Sequence, residues 1–199
     1  TIQVIVTVTP GANLGPYLNS AVGSGQSTGN PTVTDPSDNG TEADPDGDGN
    51  ADEPGENDPT PVQFVEVPSI GVAKRVTSLV NNMNGTSTVT YDLVVENLGN
   101  VVLTGLQVMD DLAATFGGVT SFTVDSVTSA AFTENPLYDG DVDTLLLSGT
   151  DTLPLLGTGT ITLVVTVTPG TALGPHLNSA VASATSPAGT IASDASDDG

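Results

Sequence analysis

TIQVIVTVTPGANLGPYLNSAV, residues 1–22, returns as TITLVVTVTPGTALGPHLNSAV at residues 160–181, an offset of 159 that runs without a gap to the end of the chain. TDPSDNG (34–40) falls on SDASDDG (193–199) at the same offset. Self-similarity at a fixed period constrains the fold before any local reading does, because each period must be one structural unit of an array. The chain thus holds one full period and an overlap, beginning inside one repeat and ending inside the next.

Within that period the hydrophobic pattern alternates with period two. VTYDLVVENLGN (89–100) places Val89, Tyr91, Leu93 and Val95 on one face and Thr90, Asp92 and Glu96 on the other, the signature of a half-buried strand. TITLVVTVTP does the same, with Ile161, Leu163, Val165 and Val167 set against Thr160, Thr162, Thr166 and Thr168. NNMNG (81–85), NLGN (97–100), FGG (116–118) and LLGTG (155–159) supply turns at sandwich spacing. No segment carries a 3.6 period. The expected fold class is all-β: an immunoglobulin-like β-sandwich over residues 69–184, with an acidic connector at 26–68. Residues 1–25 read as the last two strands of a preceding sandwich, and residues 185–199 as the start of the next connector. A lone hairpin of this kind is not stable by itself. Strands 1–25 therefore belong either to a longer tandem chain or to a neighbouring subunit completed by strand addition.

Charge narrows the partners. The chain carries 24 acidic and two basic side chains, Lys74 and Arg75, for a formal charge of −22. With no basic surface to neutralise phosphates, nucleic acid is not expected as a partner, nor is an anionic membrane surface. Cysteine is absent, so neither a disulfide nor a thiolate zinc site is available. No apolar run approaches the roughly 20 residues of a membrane span, and with no initiator Met or signal peptide the sequence reads as an excerpt or processed product.

The acid is concentrated. EADPDGDGNADEPGEND (42–58) holds eight carboxylates and no aliphatic side chain larger than alanine, so it cannot fold around a core. Asp44, Asp46 and Asp48 are spaced by two, Gly49 follows, Asn50 offers a backbone carbonyl, and Asp52 comes two later. That is the D-x-D-x-D-G opening of a calcium loop. A hard cation needs six to eight oxygens, and alternate carboxylates converge on it only where glycine allows a sharp turn. Position twelve is Gly55 instead of a bidentate Glu, leaving Glu53 or Glu56 as the substitute. A solvated, self-repelling linker is the alternative. Two further clusters offer oxygens: Asp35 with Asp38 before the loop, and Asp139, Asp141 and Asp143 in DGDVD (139–143).

SIGVAKRV (69–76) puts Lys74 on the parity of Ile70, Val72 and Val76, and GLQVMDDL (105–112) puts Asp110 on that of Leu106, Val108 and Leu112. A buried ammonium needs a partner. Either the two form a buried ion pair, or a desolvated, neutral lysine attacks an asparagine amide polarised by a protonated Asp110. Asn178 is the candidate acceptor for such an intramolecular isopeptide bond. It shares parity with Ala180 and Ala182 against Leu177 and Val181, which leaves its direction open.

SIGVAKRVTSLVNNMNGTSTVTYDLVVENLGNVVLTGLQVMDDLAATF, LLLSGTDTLPLLGTGTITLVVTVTPG and LNSAV together resemble the conserved-repeat Ig-like modules, originally a domain of unknown function, of bacterial surface proteins. They are also similar to the B-type repeats of serine-aspartate adhesins. The resemblance covers residues 69–184 and 1–25. It implies an extracellular or cell-surface sandwich repeat, with calcium at junctions and Lys–Asn crosslinks in related sandwiches.

The expected function is a structural repeat unit of a calcium-stabilised extracellular fibre, filament or stalk, partnered head-to-tail by copies of itself. The alternative is an adhesin whose loops bind a host or matrix protein or glycan; Tyr17, Tyr138 and Phe64 are the aromatic candidates. An enzyme is not expected, since the single His176 is replaced by Tyr17 in the other copy.

Overall fold

The computed structural model describes residues 1–26, 28–29 and 31–198, and divides into two compact units, Thr1–Val65 and Glu66–Gly199. The chain is mostly β with one short helix. In the first unit, β1 (Tyr17–Asn19) pairs antiparallel with β4 (Thr60–Val62), and β2 (Val22–Gln26) pairs antiparallel with β3 (Thr32–Pro36).

The second unit contains β5 (Ile70–Asn81), β6 (Ser87–Asn97), β7 (Leu103–Asp110), α1 (Leu112–Thr115), β8 (Ser121–Ser129), β9 (Thr152–Leu153), β10 (Thr158–Thr168), β11 (Ala180–Thr185), β12 (Ile191–Ala195) and β13 (Asp197–Asp198). They form two packed sheets, ordered β13-β5-β6-β10-β8 and β12-β11-β7-β9. The alternation read from sequence sets the faces: Leu93, Val95, Ile161, Leu163 and Val165 are fully buried, and Tyr91 and Val167 nearly so. From the facing sheet come Leu103, Leu106, Val108, Ala180 and Ala182. Threonines take the outer positions of β10, as half-buried strands require. Val76 keeps the register of Val72 and Lys74, opposite Tyr91, and is nonetheless 55 % exposed; the β5–β6 register shifts just beyond it, between Val76 and Ser78.

Residues 191–198 contribute β12 and β13 to the second unit, and residues 32–36 form β3 in the first. Both hairpins have the same register: Val22 opposes Pro36 as Val181 opposes Ala195, and Gln26 opposes Thr32 as Thr185 opposes Ile191. The same hydrogen bonds close them, from Ala21 N to Ser37 Oγ and from Ala180 N to Ser196 Oγ, each 2.9 Å. Residues 1–9, by contrast, form no strand, although their copy supplies β10. The pattern is the same, but the flanking strands that satisfy N–H and C=O groups are lacking.

Candidate functional site

The acidic loop in the first unit is shaped by its own carboxylates. Asp44 accepts hydrogen bonds from Gly47 N and Gly49 N (both 2.9 Å), Asp46 from Asp48 N (3.0 Å), and Asp48 from Asn50 N (2.8 Å). Side chains that capture backbone amides two or more residues ahead define Asx turns. Gly47 and Gly49 sit at φ of 75° and 90°, the left-handed region glycine enters at little steric cost. The result brings one oxygen each of Asp44, Asp46 and Asp48 within 4.8 Å of one another, a group able to hold a metal ion.

Glu56 completes the picture. It is only 7 % exposed, and its Oε2 has no hydrogen-bond partner among the described residues. Burial and the charges of Asp46, Asp44, Glu53 and Asp48 raise its pKa. A carboxylate buried beside four others is costly unless a cation or a proton intervenes. Glu53 accepts from Asn50 Nδ2 (2.9 Å), and Asp52 from Asn57 Nδ2 (2.8 Å); neither Glu53 nor Glu56 is in the group formed by Asp44, Asp46 and Asp48.

The other proposed ligands are not brought into this group. Asp38 accepts from Asn39 N (2.8 Å), and Asp35 lies on β3. Asp139 caps the amides of Asp141 and Asp143, both 2.9 Å, which lowers its pKa. Asp143 accepts from Asn135 Nδ2 and Leu145 N. DGDVD is thus a turn held by its own carboxylates. Among the described residues, Asp44, Asp46 and Asp48 are the metal-capable group.

The second constellation lies in the unit 66–199. Lys74 on β5 and Asp110 at the end of β7 make a salt bridge, with side chains 3 % and 0 % exposed, and the Lys74 ammonium stands 4.7 Å from the centre of the Tyr91 ring. Burial, more than the mutual attraction, dominates both groups: it lowers the Lys74 pKa and raises that of Asp110, so each is pushed toward its neutral form. Asn178 takes the direction of Ala180, Ala182 and Ala184, all buried, whereas Leu177 is 88 % exposed. The parity that left its direction open therefore resolves inward.

Its Oδ1 accepts from Thr115 Oγ1 at 2.9 Å, which α1 presents because Asp111 caps that helix by accepting from Ala114 N. Asn178 Nδ2 and Asp110 Oδ1 are both buried and make no short hydrogen bond among the described residues, yet the Asn178 side chain is close enough to Asp110 to favour its charged form, against the larger effect of burial. Lys74, Tyr91 and Asn178 line one cavity. Thr115 and Tyr91 escaped the sequence reading as members of this site, although Tyr91 shares the parity of Leu93.

The aromatic candidates are engaged internally. Tyr138 is 6 % exposed and its hydroxyl donates to Asp110 O at 3.2 Å. Tyr17 and Phe64 pack edge to face, 5.8 Å apart. His176 Nε2 lies 3.1 Å from Ala172 O, where the other copy has Tyr17 OH donating to Asn13 O. No helix among the described residues is long and apolar enough to cross a membrane. No protein-family model matches the chain, and no curated protein matches it.

Proposed function

We propose that the chain is a structural repeat unit of a calcium-stabilised extracellular fibre, filament or cell-surface stalk, built from immunoglobulin-like sandwiches in a head-to-tail array. The observation that carries this reading is the hairpin recurring 159 residues apart in identical register, with a loop of converging carboxylates between the copies. Calcium suits the loop because its donors are all hard oxygens. Asp44, Asp46, Asp48 and Glu56 would hold the ion, neutralising charges that otherwise keep this segment extended by repulsion.

Extracellular calcium modules typically bind at roughly 10⁻⁴–10⁻³ M, so calcium at ten to a hundred times Kd stabilises the folded state by about 1.4–2.7 kcal/mol. For a unit of this size the expected rise in Tm is about 5–20 °C. Thermal melts in calcium and in excess chelator test this, with Asp46→Asn and Glu56→Gln expected to abolish the difference. Identical melts would leave the loop as a repelling spacer.

The adhesin alternative loses support from Tyr138, which is buried. A second reading, for the Lys74 site, is favoured by the burial that pushes Lys74 and Asp110 toward their neutral forms and by Asn178 lining the same cavity as Lys74. Neutral Lys74 Nζ attacks Asn178 Cγ while Asp110, protonated, donates to Oδ1. The C–Nδ2 bond then breaks, the leaving nitrogen takes the proton lysine gives up, and ammonia departs. No oxidant is required. Intact-mass measurement is expected to show a chain lighter by one ammonia, with Lys74→Ala and Asp110→Ala at full mass. An unmodified wild-type mass would reduce the site to an ion pair.

A further inference from the structure

Residues 1–9 carry an apolar face that is exposed among the described residues. Ile2, Val4, Val6 and Val8 are 92 %, 78 %, 71 % and 48 % exposed, whereas their copies Ile161, Leu163, Val165 and Val167 are 0–4 % exposed, in β10 between β6 and β8. Such an edge presents unpaired backbone groups together with an apolar face, a template for strand pairing. We propose that residues 1–39 complete the two-sheet core of the module immediately preceding them in the array, one equivalent to residues 69–159 of this chain. The proposal rests on reading the chain as one link of such an array.

The copy within the chain states what the acceptor must supply. Residues 1–9 enter between strands equivalent to β6 and β8, and β2 lies against one equivalent to β7, as β11 does through Val181–Met109 and Ala182–Val108. Asp38 and Asn39 take the parallel place of β13 along an equivalent of β5.

Two further observations point to the same acceptor. Asp194 Oδ2 accepts from Val72 N on β5 at 2.8 Å, while its counterpart Asp35 has a buried Oδ1 with no partner among the described residues. In the proposed acceptor, Asp35 would meet the amide equivalent to Val72 N. Packing carries the second. Ala184 and Ala192 face each other across the hairpin as buried neighbours, and in the first copy Gly25 faces Val33 at the same register pair. One side loses a methyl group and the other gains two, a nearly volume-conserving exchange of the kind that close-packed interiors tolerate. On a permanently solvated hairpin no such compensation is required.

A second copy of the chain is a weaker acceptor, because its slot already holds β10, which is tethered to the core at high effective concentration.

The test places residues 69–159 directly ahead of Thr1 in the full chain and follows amide hydrogen exchange by mass spectrometry, in calcium and in chelator. Residues 1–9 are expected to exchange on the order of a hundredfold or more slowly than in the unextended chain, matching residues 160–168. Val4→Asp in the extended chain is expected to remove that protection while leaving 160–168 protected. Fast exchange of residues 1–9 in the extended chain would overturn the proposal. So would protection in the unextended chain that grows with concentration, which assigns the edge to a second copy. Protection that is equal with and without calcium upholds it even where the calcium melts fail, so the two readings fall separately.

Discussion

Asp110→Ala is expected to destabilise the unit 66–199 by at least about 3–5 kcal/mol in equilibrium denaturation, the usual consequence of stripping one partner from a buried ion pair. Lys74 is 4 % exposed, and without Asp110 its nearest compensation is the face of Tyr91 at 4.7 Å, a contact worth roughly 2 kcal/mol even when desolvated. Lys74 would therefore fold as the neutral amine or drag water inward. Lys74→Met with Asp110→Leu removes both charges and fills the space with apolar atoms, a replacement that is commonly neutral or stabilising.

That double variant also separates the two readings of the site. An ion pair alone predicts recovery to near wild-type stability. An amide between Lys74 and Asn178 closes a loop of roughly a hundred residues, worth about 4–5 kcal/mol in the chain-entropy account, so the double variant then falls short by that amount. The intact mass of the wild-type chain must agree with whichever outcome is found.

What the sequence made legible was the identity of the inward faces. Period-two alternation placed Tyr91, Leu93, Leu163, Lys74 and Asp110 correctly, because a strand offers two faces and one must be buried. The D-x-D-x-D-G spacing likewise found the loop whose carboxylates converge. DGDVD alternates acids as well, but it lacks the glycine that follows the third acid in the loop, Gly49 after Asp48. Both segments bend at a glycine of positive φ, Gly47 and Gly49 in one and Gly140 in the other, and in both the aspartates accept backbone amides; the difference is that Asp44, Asp46 and Asp48 each bring one oxygen into a common group.

β12 was illegible for another reason. IASDA buries a single alanine, Ala192, and its principal tie to β5 is a carboxylate accepting a backbone N–H. Neither leaves a hydrophobic trace. Residues 1–9 failed in the opposite sense. Their pattern reports the capacity to be buried, and capacity becomes structure only where neighbouring strands are present to pair with the backbone.

Leu163→Ala and Val4→Ala put that distinction into numbers, for they change corresponding positions of one repeated sequence. Leu163 is fully buried at the centre of β10, hydrogen-bonded on both sides with Tyr91 and Val127 as register partners. Its truncation removes buried methyl groups and leaves a cavity the two sheets cannot close, an expected loss of about 2–5 kcal/mol. Val4, 78 % exposed, gives up no packing in the same chain, and its truncation is expected to fall within about 0.5 kcal/mol of zero. Urea denaturation of the two variants against the parent measures both, with an unchanged m-value as the condition for reading the midpoints as stability. In the chain extended by residues 69–159, Val4→Ala is expected to acquire a cost of the core kind, about 0.8 kcal/mol for each methylene-sized group lost together with the cavity that remains. The same side chain would then be neutral or essential according to whether its acceptor core precedes it. A Val4→Ala cost already present in the unextended chain would mean that residues 1–9 are packed there and that the exposed edge is not free.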